Sequence, residues 1–457
     1  MSNSTKQRRG RRRNTKVGML SLAAFGVFSA ATMTSNPAPI AAATPPSSEG
    51  VVCAEKAGSA PGTANYVLTA TTGVINTPDG NSLLMWGYAN ALGGFQYPGP
   101  ILCANEGDQV TVTLRNELPV NTSIDFVGID TVKVNGRSAQ AQFDGATLRS
   151  LTDDVAPNGS LTYTFTAEDP GTYLYQSGND QALQIEMGLV GAVIVYPALA
   201  PTSTVESARL AYDDQSTVFS SEHEYMVLLT ELDPDVHYAV ESGLVTQSDD
   251  YTADWKPRYF MINGRSFPDD IAPNGAAWLP TQPYGALAHV EPLSPANPLP
   301  ALIRYLAVGG EPYPFHPHSN HEKVLAKDGR LLKDGAADIS LEKFSIVVDP
   351  GSTIDATFTW ENIEDYNTVG NPRYGNLPVP QPNGPNLTEG EFWSGSALLG
   401  SAGVLNPEVQ GKNVCGEYYH VAHNHNLTEA TNYGAAFGGQ LTLIRVDPSN
   451  SANCGNA

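Results

Sequence analysis

Apolar and polar residues alternate with a period of two through much of the chain, the pattern of strands with one buried face. It is clearest in GDQVTVTLRN at residues 107–116, in LTYTFTA at 161–167 and in FSIVVDPGSTIDATFTW at 344–360. YVLTATTGVI at 66–75 and SLLMWGY at 82–88 read as further strands, and Asn158-Gly159 reads as a turn before 161–167. MGLVGAVIVYP at 187–197 is a nearly continuous apolar strand that closes a first unit, and residues 197–207 read as a linker. A second unit repeats the order with EYMVLLTEL, RYFMINGRSFP, LIRYLAV and a closing GQLTLIRV at 439–446. The two halves form a weak internal repeat, which predicts two β-sandwiches. A stretch rich in Pro, Gly and Asn between residues 361 and 413 interrupts the second unit and reads as a long functional loop or an irregular arm.

Length and composition agree with this pattern. The chain has 457 residues, with 43 Gly and 34 Pro and few long amphipathic periods, as expected of an all-β protein with many turns. Residues 1–43 read as a targeting segment: Lys6, Arg8, Arg9, Arg11, Arg12, Arg13 and Lys16 precede a short apolar run from Val17 to Ala31, and Ala41–Ala43 offers a small-residue cleavage site. Export to the periplasm, cell surface or medium is the expectation, with no stable membrane span. Removal of that segment takes the formal charge from −22 to −29, which excludes nucleic acid as a partner and favours cations. The acidic pairs Asp249-Asp250 and Asp269-Asp270 lack a calcium-loop pattern and read as solvated. Four cysteines in an exported chain predict two disulfides. Cys53–Cys103 and Cys415–Cys454 are the preferred pairs, although three connectivities are open and Cys415 could instead be a free metal ligand.

The candidate chemistry lies in two windows. EPYPFHPHSNHEKVLAKDGR at 311–330 carries His316, His318 and His321, and EYYHVAHNHN at 417–426 carries His420, His423 and His425. Six of the nine histidines therefore occupy two short segments about a hundred residues apart. On a strand, His316 and His318 project to the same face. Neutral imidazole suits copper and zinc, so a metal site in the second unit is the leading reading and exposed turn histidines the alternative.

The framework resembles the multicopper oxidases and the two-domain copper nitrite reductases. YPGPILCANEGDQVTVTLRNEL, GTYLYQSG, EMGLVGAVIVYP, RYFMINGRSFP and YYHVAHNH…GGQLTLIRV match that family's motifs over residues 64–447. The resemblance implies two cupredoxin-like Greek-key β-sandwich domains in tandem, at 44–200 and 201–457, and copper as the cofactor. It also shows where this chain departs. The family's ligand positions in the first domain fall on Asp125, Val127, Gln176, Ser177, Gly178, Gln184 and Leu189, none of which is His, Cys or Met. The family's last His-Cys-His corresponds to His420-Val421-Ala422, so that thiolate is missing too. The first domain is thus expected to be a scaffold without copper, and a laccase-type electron relay is not expected. Asp125 and His316 coincide with catalytic positions of the nitrite reductases. The expected coordination sphere is His316, His318 and His423 with His420 as fourth, while His321 and His425 serve as ligands or orient them. Three functions remain open at this stage: an oxidoreductase acting on a small molecule or metal ion, a copper-binding carrier, and a metal-free module. A homo-oligomer is also open.

Overall fold

The alternation of residues 107–116 becomes the strand Gln109–Asn116, in which Val110, Val112 and Leu114 turn inward and their neighbours outward. A computed structural model of the protein describes residues 49–58, 60–90, 94–247, 252–295, 297–318, 320–360, 418–435 and 438–446. The expected targeting segment, the loop 361–413 and the pair Cys415–Cys454 lie outside these residues.

Between residues 63 and 196, two sheets face one another. One is six-stranded and centred on Thr63–Asn76, Gln109–Asn116 and Ser160–Thr166. The other holds Leu102–Asn105, Val190–Tyr196, Gly171–Gln176 and Asp125–Val127. Tyr66, Val112, Phe165, Phe126, Tyr175 and Val193 from both sheets fill the core between them. Between residues 224 and 446 the plan recurs. A seven-stranded sheet is centred on Glu224–Leu232, Ala301–Ala307 and Thr353–Phe358. A five-stranded sheet runs Ala288–Val290, Leu441–Val446, Tyr418–Asn424, Tyr313–Pro317, Ile346–Val348. In each half the opening strand pairs parallel with a later strand and antiparallel with the next hairpin strand, so the sequence repeat is also a topological one. The architecture is all-β with cupredoxin-like sandwiches.

The two halves share a third core. Tyr97, Ile101 and Cys103 pack with Met226, Leu228, Met261 and Tyr284. Asn263-Gly264, both at positive φ, makes the tight turn within RYFMINGRSFP. A Cβ at Gly264 would sit 2.7 Å from the Tyr97 carbonyl oxygen, so glycine is what lets this turn close onto the first half. A polar cluster crosses the same boundary. Arg304, fully buried, pairs with Glu224 at 2.7 Å and Asp355 at 3.4 Å, and donates to Thr172 Oγ1 at 2.8 Å.

Cys53 and Cys103 form the expected disulfide, with Cα atoms 5.6 Å apart. One expectation fails. Asp270 is fully buried rather than solvated, and burial pushes its carboxyl well above the usual range, with Arg265 nearby only partly opposing that.

Candidate metal centre

Strand pairing assembles the histidines. His316 in Tyr313–Pro317 lies directly across from His423 in Tyr418–Asn424. The His318 N–H donates to the Val421 carbonyl at 2.9 Å, and the His425 N–H donates to the Pro314 carbonyl at 2.7 Å. Phe315 and Ala422 face the core, so His316, His318, His423 and His425 stand together on the outer face of the sheet. Ring centroids are 4.7 Å apart for His316 and His318, 5.2 Å for His316 and His425, 5.1 Å for His318 and His423, and 5.5 Å for His423 and His425.

Hydrogen bonding fixes two tautomers. A carbonyl can only accept, so Nδ1 of His316 must donate to the Phe344 carbonyl, and Nδ1 of His423 to the Asn424 carbonyl at 2.7 Å. In a neutral ring that leaves the Nε2 lone pair of each free to bind a ligand. The Nε2 atoms of His318 and His423 face each other at 3.1 Å. Burial, assisted by His318, His316 and His425, brings His423 down to about 4, and its bond to the Asn424 carbonyl only partly opposes this. Desolvation with His316 and His425 lowers His318. Both rings are therefore neutral at pH 7, the state that binds metals.

The other two expected histidines stand apart. His420 is three residues before His423, an odd spacing that turns it to the opposite face of the strand. There it stacks on Trp360 with centroids 4.6 Å apart, and burial with the nearby His318 lowers it to about 4. His321 lies beyond the strand, with its ring 6.0 Å from Phe344. His425 takes the fourth place in the cluster that the sequence assigned to His420. Among the described residues no three His, Cys, Asp or Glu side chains are already posed around a metal position. Among the described residues, His318 and His423 are the pair whose ring nitrogens approach each other, at 3.1 Å.

Several supporting residues carry no signal in the sequence. Phe344 supplies a carbonyl, and its ring stands edge-on to His316 at 5.9 Å. Asn424, buried between His423 and His425, donates to Glu429 Oε2 at 2.6 Å and Gln440 Oε1 at 2.8 Å, which pins the turn after the strand. Its place in HNH is the one available signal, since period two forces it inward.

The first half has closed its ligand positions. Ser177 Oγ at 2.7 Å and Thr122 Oγ1 at 2.9 Å both donate to Gln184 Oε1, and Gln184 Nε2 donates to the Asn121 carbonyl at 2.8 Å. Leu189 is fully buried. A Cβ at Gly178 would meet Ser123 Oγ at 3.0 Å, so no ring fits there without displacement. Asp125 is half-buried on Asp125–Val127, paired across from Gln176, and burial raises its carboxyl. Among the described residues it makes no hydrogen bond or ion pair with the histidine cluster. Val127 is half-buried on the same strand.

The fold is of cupredoxin type, and its second half carries a cluster of outward-facing histidines. Comparison with known proteins finds likenesses to multicopper oxidases. Residues 76–199 match the multicopper oxidase family model. The laccase abr2 of Aspergillus fumigatus is 36% identical over 105 residues, 22% of this chain and 16% of that protein. A copper resistance protein A homologue of Pseudomonas syringae pv. tomato is 31% identical over 154 residues, 34% of this chain and 22% of that protein. The matched segment thus spans about a fifth of these relatives' length. The structure of a blue copper oxidase from Nitrosomonas europaea superposes with a TM-score of 0.52 at 17% identity, covering 84% of this chain and 85% of that one, a likeness of fold. Within its first half the chain is similar in sequence to multicopper oxidases, and over most of its length its fold is like that of a blue copper oxidase.

Proposed function

We propose that this chain is an exported protein whose metal chemistry is confined to a histidine-only copper site made by His316, His318, His423 and His425. The observation that carries the reading is the 3.1 Å separation of the His318 and His423 Nε2 atoms. Two imidazoles on one tetrahedral ion with bonds of about 2.0 Å stand about 3.3 Å apart, close to that value. His316 or His425, on the same face, would supply a third nitrogen donor. Zinc suits the same donors. A thiolate-bound copper does not fit, because no cysteine lies among these residues. A copper ion held there would supply one-electron redox chemistry with a position open to substrate. The protein's own part is to hold the Nε2 lone pairs outward through the Phe344 and Asn424 carbonyls, and to keep His423 unprotonated by burial. The substrate class is a small molecule or metal ion reaching the outer face of the sheet. The basic, then apolar N-terminal sequence and the Cys53–Cys103 disulfide support export.

A copper-carrier role is the second reading. It is favoured by the sealed Ser177–Gln184–Thr122 network, which removes any relay partner in the first half. Copper-loaded protein is expected to lack the intense blue band of thiolate-bound copper. Oxygen uptake with phenolic or cuprous substrates supports the oxidoreductase, and stoichiometric copper without uptake supports the carrier. A deep blue holoprotein would contradict both, since it requires a cysteine ligand.

A further inference from the structure

We propose that the cavity between the two sandwiches binds a small, flat, uncharged organic molecule through an amide-like hydrogen-bonding edge. The cavity has a volume of about 370 Å³ and lies where the strand Gly171–Gln176 meets the second half of the chain. Ligand sites favour such interfaces and start at about 300 Å³. It contains none of the clustered histidines, so the inference is independent of metal binding.

The central observation is Gln176. It is only 9% exposed and lines the cavity, and its carboxamide has no hydrogen-bond partner among the described residues. Its amide atoms are not sealed in protein, so they open onto the cavity and both its donor and its acceptor are available to a ligand there. Gln181 Nε2 is engaged with the Ser177 carbonyl at 3.2 Å, which leaves its Oε1 as a second acceptor on the same wall. A carboxamide both donates and accepts, and the group that matches it best is another amide or a hydroxyl.

The rest of the lining suits a flat apolar body. Ile185, Val308 and Pro350 face the space together with Trp255. The indole is set by its Nε1–H, which donates to Glu186 Oε2 at 3.0 Å. A Cβ at Gly310 would come within 2.9 Å of the indole ring, so glycine there is what lets the ring lie against the backbone. Charge excludes ionic ligands. Among the described residues no Lys or Arg lines the cavity, and Glu186 repels anions. Glu186 also offers little to a cation. The Asp233 N–H already donates to it at 2.6 Å, and His237 Nε2 lies 3.4 Å away, in addition to Trp255.

The test uses benzamide as probe, with benzoate and benzylammonium as charged counterparts of the same shape, titrated calorimetrically into the metal-free full chain. Benzamide is expected to bind saturably in roughly the millimolar range, as befits a fragment. Gln176→Leu should weaken it about tenfold or more. Ala182→Trp, at an exposed position on the rim, should abolish binding without disturbing the fold, and so decides the matter even if Gln176→Leu proves unstable. The proposal is overturned if the wild type shows no saturable binding, if Ala182→Trp binds like the wild type, or if either ion binds as tightly as benzamide.

Discussion

Replacing Arg304 with methionine is expected to cost about 3–5 kcal/mol of stability, the range found when one partner of a buried ion pair is removed. Arg304 is fully buried, as nearly are Glu224 and Asp355, and the three are joined at 2.7 and 3.4 Å. Tyr196 donates to Glu224, and Tyr212 to Asp355, so the acids keep hydrogen bonds but lose the cation they pair with. Two carboxylates then remain in a low-dielectric site without countercharge. Because Thr172 from the first half takes part, through Arg304 Nη1 and Asp355 Oδ1, the loss should also loosen the two sandwiches from each other. Urea unfolding reads the effect as a fall in midpoint. The triple variant Arg304→Met, Glu224→Gln, Asp355→Asn should recover most of it, since no charge is left unpaired. A single variant as stable as the wild type would mean the network carries no net energy.

Glu322 makes stability depend on pH. It is fully buried beside the core of the second half, Tyr305 donates to it at 2.8 Å, and its Oε2 has no partner among the described residues. Burial pushes its carboxyl up to about 8 from an ordinary 4.5, only partly opposed by the Tyr305 bond. A folded-state value above the unfolded one means the folded state holds its proton longer. This contribution is therefore complete below about pH 4.5 and is lost as pH rises toward 8. Over that window it amounts to roughly 5 kcal/mol. His420 and His423, lowered to about 4, act in the opposite sense and cost stability as pH falls below 6.5. The comparison of wild type with Glu322→Gln cancels their effect. Urea midpoints at pH 5, 7 and 9 should show the variant gaining on the wild type as pH rises. Parallel pH profiles would show that Glu322 does not ionise in this range.

Much of the fold was legible because period-two alternation is a local signal: residues 109–116, 160–166 and 353–358 are strands where the pattern put them. The helices Gln181–Glu186 and Pro234–Glu241 are too short to show a helical period, although Asp233-Pro234 supplies a cap and a first-turn proline. In the site, same-face spacing foretold that His316 joins His318, and the same spacing brings His423 to His425. It also argues against grouping His420 with His423, since three residues on a strand reverse the face. Which histidines meet across strands depends on the register of His316 opposite His423, and neither window contains that information. The Arg304 cluster and the Gln176 cavity were illegible for the same reason. Each is made by residues far apart in sequence that only tertiary pairing brings together.

On the proposed function, metal binds at the outward histidine cluster and nowhere in the first half. Metal content after loading with Cu(II) or Zn(II) and exhaustive dialysis tests it most directly. The wild type should retain a stoichiometric ion, and Asp125→Asn should match it. His318→Ala/His423→Ala should retain none while unfolding at the wild-type urea midpoint, because both side chains stand outside the core. Full occupancy in the folded double variant, or no stoichiometric metal in the wild type, would contradict the account.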